Sequence, residues 1–149
     1  MWDGGAYRAT APRTGRRSSS TSLLSLMPLV LGDELDADRR DALGALVDEH
    51  LTEWGLATER PASAAYESDG YWRGPIWAPS TVLLEDGLRR AGLVDHADRV
   101  SASFRRLCET SGFAENFDAL TGEGLRDRAY TWTASAYLLL AAEAAGRAS

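Results

Sequence analysis

Lysine is absent from the 149 residues, so all 16 basic side chains are arginine. There is one cysteine, Cys108, and there are two histidines, His50 and His96. A single cysteine excludes an internal disulfide framework. With two histidines it also excludes a Cys/His metal cluster, so neither a metal nor a cofactor is expected. Long apolar runs are missing too. The longest, Ala136 to Ala142, is far too short to span a bilayer, so no membrane role is expected. Residues 1–5, Met-Trp-Asp-Gly-Gly, lack a basic segment followed by an apolar one, which predicts no signal peptide and a cytoplasmic location. Positive charge is in deficit, with 16 basic against 22 acidic residues and a net charge of −6. Phosphate backbones need a basic face, so nucleic acid is a poor partner. No stretch alternates convincingly between apolar and polar residues, so no strand is predicted.

What is present is ordinary for a globular chain: 44% hydrophobic and 26% charged residues. That excludes a wholly disordered chain. The length fits one domain or a piece of a larger one. The lysine-free composition and the 24 alanines read as a GC-rich coding bias. Such a bias weakens any inference from one arginine, although arginine's planar fork does make bidentate contacts that lysine cannot.

Five helices are predicted. Residues 1–19 read as a loop rich in turn signals. Leu23 to Leu31 form a nearly all-apolar helix of about three turns, with Ser20, Thr21 or Ser22 as cap, a kink at Pro28 and an end at Gly32. Residues 36–53 form an amphipathic helix with Leu43, Leu46, Val47 and Leu51 on one stripe. After a long aromatic, Gly/Pro-rich stretch (55–79), a third helix runs from about Ser80 to Ala91. A fourth, amphipathic, covers Asp95 to Thr110. A second long loop (111–128) precedes a fifth helix, about Ala129 to Ala145, apolar nearly all round. His50 and His96, on the amphipathic helices, are expected at the surface.

Buried-type helices therefore alternate with amphipathic ones. Each buried-type helix follows a long loop, whereas the connections at Gly32-Asp33 and Gly92-Leu93 are short. All long loops then emerge on one face, above the N-termini of the inner helices. This predicts an all-α chain laid out as part of a helical toroid, with a loop-built site on one rim. Loops longer than about 12–15 residues are uncommon unless they are functional.

Three segments carry the chemistry. Residues 69–79, Asp-Gly-Tyr-Trp-Arg-Gly-Pro-Ile-Trp-Ala-Pro, bring three aromatics and an arginine together. Aromatic faces pack on the C–H faces of a pyranose, and arginine donates to hydroxyls. The competing reading is a structural loop whose aromatics fill the core beneath the rim. In residues 113–124, Glu115 sits between apolar neighbours, a setting suited to a base. Its bland reading is a solvated surface charge. Asp118 with Thr121-Gly122 reads as an Asx turn. At the mouth of the last helix, Trp132 is placed either to line a site or to fill a core. Ser63, Ser80 and Cys108 lack an evident histidine partner, which argues against a covalent nucleophile. Gly122-Glu123-Gly124 has neither the length nor the lysine of a phosphate loop.

Together these segments resemble the C-terminal part of (α/α)6-barrel glycoside hydrolases. The resemblance is to glycoside hydrolase family 63 and its mannosylglycerate-hydrolase-like members, relatives of trehalases and of amylo-alpha-1,6-glucosidases. Residues 69–77 match the family's GYWRGPxW motif, the most specific of the set. Trp2-Asp3-Gly4 with Tyr7, residues 113–122 around Glu115, and Tyr130-Thr131-Trp132-Thr133-Ala134 match three further motifs in the right order.

The resemblance implies a partial (α/α)6 toroid over residues 1–149 and hydrolysis of an α-glucosidic or α-mannosidic bond with inversion. It implies Glu115 as general base, and Tyr71, Trp72, Arg73, Trp77 and Trp132 as walls of the sugar pocket. The expected partners are an oligosaccharide or small glycoside and the missing N-terminal half of the barrel. The family's acid, an aspartate upstream of the matched region, has no counterpart in residues 1–68, and Asp3 lies in a different loop. Five helices also cannot close a toroid of twelve. The chain therefore reads as a C-terminal portion that is inactive alone. The alternatives are a non-catalytic carbohydrate-binding or interaction half-barrel, and a plain helical structural protein. A portion of this kind leaves apolar faces of its first and fifth helices uncovered.

Overall fold

The computed structural model describes the backbone of residues 1–148. A 3-10 helical segment (Leu23–Glu34) comes first. Four α-helices follow: α1 (Ala37–His50), α2 (Ala78–Arg90), α3 (Val94–Ser111) and α4 (Thr131–Ala148). A two-residue antiparallel ladder pairs β1 (Asn116–Phe117) with β2 (Gly124–Leu125), in the loop that was expected to hold no strand.

The five predicted helices are all present, within a few residues of their expected bounds. The first differs in kind. It is wound as 3-10 helix and breaks at Gly32 (φ 59°, ψ −122°), where an ending was expected, while Pro28 sits inside without breaking it. The segment packs closely against α2. A Cβ on Gly87 of α2 would lie 2.4 Å from the Leu29 carbonyl oxygen. Backbone thus meets backbone there, and only glycine permits the approach. Ser22 precedes the segment, but its hydroxyl caps nothing; Ser25 Oγ donates to the Ser22 carbonyl instead. Asp36 does cap α1, accepting from the Arg39 N–H.

The helices form two layers. The 3-10 segment packs on α2 and α2 on α4, which makes the inner layer; α1 backs the 3-10 segment, and α3 backs α2 and α4. One core, around Leu26, Leu29, Leu43, Val47, Leu84, Leu88 and Val100, joins the 3-10 segment, α1, α2 and α3. A second, around Ile76, Phe104, Leu107, Phe117 and Leu140, joins α3, α4 and the loops. The layer order is that of the partial toroid expected from the sequence. Among the described residues no helix is long and apolar enough to cross a membrane.

One correction concerns His50, expected at the surface. It is fully buried at the C-terminal end of α1. Its Nδ1 lies 2.9 Å from the Ala57 carbonyl oxygen. A carbonyl only accepts, so Nδ1 carries the proton and the ring is neutral. Nε2 is buried without a partner among the described residues. Burial, opposed by the Ala57 bond and reinforced by Arg60, holds the ring below its usual value of 6.5. His96 is half-buried and lies 3.4 Å from Asp48.

Two outcomes are expected. Unfolded, His50 takes up a proton near pH 6.5; folded, it does so only at lower pH. The unfolded chain therefore binds more protons in that window, and stability falls as pH drops below the unfolded value. Melting temperature measured from pH 7.5 to 5 should decline, and His50→Asn, which keeps a donor for Ala57 but does not titrate, should flatten the slope.

The inner layer also exposes Leu24 and Leu31 on the 3-10 segment, Leu83 on α2, and Trp132, Leu138 and Leu139 on α4. Surfaces of this kind associate. The isolated chain should sediment as self-associated species; a monodisperse monomer at high concentration would contradict this.

Candidate active site

Backbone pairing gathers the loops that enter the three inner helices. The Leu23 N–H donates to the Thr58 carbonyl (2.9 Å), and Ser22 bridges Glu59. Ala57 bridges Ile76. Ile76 and Phe117 exchange both backbone hydrogen bonds, at 2.8 and 3.1 Å. Phe113 bridges Ala129, its carbonyl accepting from the Tyr130 N–H (2.8 Å), and the Thr133 hydroxyl donates to the Ala114 carbonyl (2.6 Å). A continuous belt of backbone bonds thus runs from residue 22 to residue 133 across the N-terminal ends of the 3-10 segment, α2 and α4. Side chains of the two chemistry-bearing loops are held to one rim by it.

Within the first of these loops the chain folds back on itself. Glu67 N–H donates to the Arg73 carbonyl (2.7 Å), and Gly70 N–H to the Glu67 carbonyl (2.9 Å). Thr58 Oγ1 donates to the Pro75 carbonyl (2.9 Å) and accepts from the Gly74 N–H (3.0 Å). Gly74 is required: a Cβ there would lie 2.1 Å from the Glu67 carbonyl oxygen. Tyr71 is turned into the left-handed region, φ 61°. A bulky residue occupies that region only when its surroundings hold it there.

The aromatics of this loop form one cluster. Trp72 stacks on Trp77 at 4.4 Å between centroids with 11° between planes. Tyr71 meets Trp77 edge-on at 4.9 Å. Trp77 Nε1 donates to the Tyr71 carbonyl (2.8 Å). The three rings of this loop differ in exposure. Tyr71 and Trp72 are each 46% exposed and present ring surface; Trp77 is 1% exposed. Trp77 therefore offers no face to a sugar here, contrary to its expected place in the wall, because Trp72 covers it. It supports Trp72 and Tyr71 from beneath. A cavity of about 130 Å³ lies between Trp72 and the start of the 3-10 segment, lined also by Ser22, Leu23, Leu24, Met27, Thr58 and Ser80.

Arg73 and Trp132 stand apart from the cluster. Arg73 is exposed and pairs with Glu67 at 2.6 Å. Trp132, 55% exposed, packs near Tyr130 and overlooks a groove with Ala78, Pro79, Val82, Ser135, Ala136 and Leu139.

Glu115 is half-buried. Its N–H donates to the Asp127 carbonyl (2.7 Å). Its carboxylate makes no hydrogen bond or ion pair with any described residue. The backbone on either side is fixed: Ala114 by Thr133, Phe117 by Ile76. The next residue, Asn116, is fully buried, and its Oδ1 accepts from Arg126 Nη1 at 3.0 Å. That bond sets the amide orientation and leaves Nδ2 buried without a partner among the described residues, at a cost of about 1–3 kcal/mol. Asp118 forms the predicted turn, its Oδ1 accepting from Leu120 N–H (2.7 Å) and Thr121 N–H (3.1 Å).

Asn116 and Arg126 were not singled out from the sequence. In a chain whose every cation is arginine, one more carries no signal. Arg126 lies across Tyr71, 5.0 Å from the ring centroid, and its Nη2 pairs with Asp69 at 2.7 Å. Asp3 is occupied elsewhere. Its carboxylate accepts from Ala6 and Gly5 N–H and pairs with Arg8; the two backbone bonds, Ala6 first, hold it below the usual carboxylate range. Burial pushes the Cys108 thiol up to about 12, far from a nucleophile's range. Among the described residues no group of three or more His, Cys, Asp or Glu is arranged to hold a metal ion.

Known proteins resemble this chain in sequence and fold. A mannosylglycerate hydrolase of Rubrobacter radiotolerans is 44% identical over 73 residues, which is 49% of this chain and 16% of that protein. The crystal structure of the family 63 mannosylglycerate hydrolase from Thermus thermophilus in complex with glucose superposes with TM-score 0.75 at 27% identity. That match covers 91% of this chain and 32% of the solved one, so the chain spans about a third of its length. Neutral trehalase Nth1 of Saccharomyces cerevisiae shares the fold, with TM-score 0.76 at 21% identity over 95% of this chain and 27% of that one. The family model of the mannosylglycerate hydrolase MGH1-like glycoside hydrolase domain matches residues 1–133. With nearly the whole chain inside that match and its rim loops on a partial toroid, the chain belongs to the MGH1-like glycoside hydrolase family.

Proposed function

We propose that this chain supplies the general base and one wall of the sugar pocket to an inverting glycoside hydrolase acting on an α-mannoside or α-glucoside, with mannosylglycerate the first substrate to test. The observation that carries the reading is the two-way Ile76–Phe117 pairing, which holds the segment bearing Glu115 against the loop bearing Tyr71 and Trp72. Trp72 and Tyr71 receive the apolar C–H face of the sugar. The Glu115 carboxylate takes a proton from water as the oxygen attacks the anomeric carbon, and an acid on the opposite face protonates the leaving oxygen. Such a pair of carboxyl groups stands about 6.5–9.5 Å apart.

The acid belongs to a segment upstream of the matched motifs. That portion of the barrel would also cover Leu24, Leu31, Leu83, Leu138 and Leu139. Arg73 reaches a sugar hydroxyl by releasing Glu67, and Trp132 closes the pocket from α4. A second reading, a carbohydrate-binding half-barrel without catalysis, is favoured by one observation: the exposed faces of Tyr71 and Trp72 need no second carboxylate to bind sugar.

Hydrolysis of mannosylglycerate and of a panel of α-mannosides and α-glucosides should be measured with the chain alone and with the N-terminal portion of a family member's barrel added. Activity should require the addition, release the inverted anomer first by NMR, and fall by roughly 10²–10⁴-fold in Glu115→Gln. An unaffected Glu115→Gln enzyme, or a retained anomer, would overturn the mechanism. Sugar binding that depends on Trp72, with no hydrolysis in either mixture, would establish the second reading.

A further inference from the structure

Among the described residues only two that are not glycine have positive φ, Tyr71 (61°) and Arg126 (60°). They lie 55 positions apart in sequence, in the two loops that the Ile76–Phe117 pairing brings together. They are also each other's cation–π partners, the Arg126 Cζ standing 5.0 Å from the centre of the Tyr71 ring. Left-handed backbone at a non-glycine residue persists where the surroundings over-determine it, and such places cluster at functional sites. A turn needing that conformation for its own sake is served best by glycine. Both positions instead carry large side chains that meet.

The Arg126 guanidinium reaches three residues at once. Nη2 pairs with the Asp69 carboxylate at 2.7 Å, two residues before Tyr71. The cation covers the Tyr71 ring. Nη1 donates to Asn116 Oδ1 at 3.0 Å, on the residue next to Glu115. The Asp69 pair is solvent-exposed and weak by itself. The bond to fully buried Asn116 and the ring contact are what give the cluster direction. Tyr71 in turn passes its position on, because its carbonyl accepts the buried Trp77 Nε1–H at 2.8 Å and Trp77 carries Trp72.

We propose that Arg126 is a positioning residue that clamps the Tyr71–Trp72–Trp77 wall to the Asn116 side of the Glu115 segment. The clamp fixes the distance between the sugar-facing wall and the base. Its effect on hydrolysis rests on the reading of Glu115 as base, whereas the clamp itself does not.

The test uses Arg126→Gly, which fits φ 60° without strain and removes the guanidinium, and Arg126→Lys, which keeps the charge but not the fork. In the isotope-labelled chain, hydrogen exchange of the Trp77 indole N–H is compared with that of the Ile76 and Phe117 amides. The clamp predicts indole exchange faster by roughly tenfold in Arg126→Gly, an intermediate value in Arg126→Lys, and little change at the two amides. Unchanged indole exchange, or equal acceleration at all three sites, would overturn it.

In the assembled barrel, kcat should fall about 10–100-fold in Arg126→Gly with a smaller change in KM. Glu115→Gln should lower turnover by roughly 10²–10⁴-fold and leave indole exchange unchanged. If Glu115→Gln left turnover intact, the base assignment would fall, while the exchange result would still decide the clamp.

Discussion

Two hydrogen bonds between Ile76 and Phe117 organise the site. They are the only direct backbone join between the loop entering α2 and the loop entering α4 in the pairings described above. Both side chains point into the second core, Ile76 and Phe117 each fully buried, with Phe117 edge-on to Phe104 of α3 at 6.4 Å. The join is therefore fixed twice, by backbone bonds and by apolar burial. A backbone bond contributes about 1 kcal/mol net, and burying a large apolar side chain about 1.5–3. Burial does most of the holding, and the hydrogen bonds set register. One residue of slip would bring the polar Asn116 to the place Phe117 holds against Phe104. Because Glu115 lies two positions before Phe117, the same register fixes where Glu115 stands.

Much of the fold was legible because helices declare themselves by period. Leu43, Leu46, Val47 and Leu51 mark α1, and the apolar run through Leu138–Leu140 marks α4 as an inner element. The alternation of apolar and amphipathic helices, each inner one entered by a long loop, gave the layer order before any coordinate. The exceptions are places where a tertiary contact overrides a local preference. The first helix is 3-10 and meets the backbone of α2 at Gly87, and nothing within residues 23–34 announces that neighbour. His50 is polar and lies on an amphipathic helix, so its sequence reads as surface. The Ala57 carbonyl, seven residues on, gives its Nδ1–H an acceptor in the core.

The site divides the same way. The dense aromatic loop and Glu115 between apolar neighbours stand out as chemistry in the sequence, and the structure sets their segments side by side. What the sequence did not separate is which aromatic faces outward. Tyr71, Trp72 and Trp77 are equivalent in composition, yet a stack at 4.4 Å makes Trp77 the floor and Trp72 the surface. Arg73, next to both, turns to Glu67 because a carboxylate six residues away lies within reach of its fork. Asn116 and Arg126 went unmarked because their significance is relational: an amide and a guanidinium mean little until they meet.

The strain at Tyr71 and Arg126 shows what that meeting is worth. Each left-handed non-glycine residue costs roughly 1–2 kcal/mol, so the pair costs about 2–4. An exposed ion pair such as Arg126–Asp69 returns at most about 1 kcal/mol. A charged hydrogen bond to a buried amide returns about 1.5–3, and a cation–π contact about 0.5–2. The Asn116 bond and the ring contact together return about 2–5 kcal/mol, which matches the size of that cost, and the ion pair adds little. A loop turn stabilised locally would not need partners 55 positions away. The cluster ties the two loops together, as the positioning role proposed for Arg126 requires.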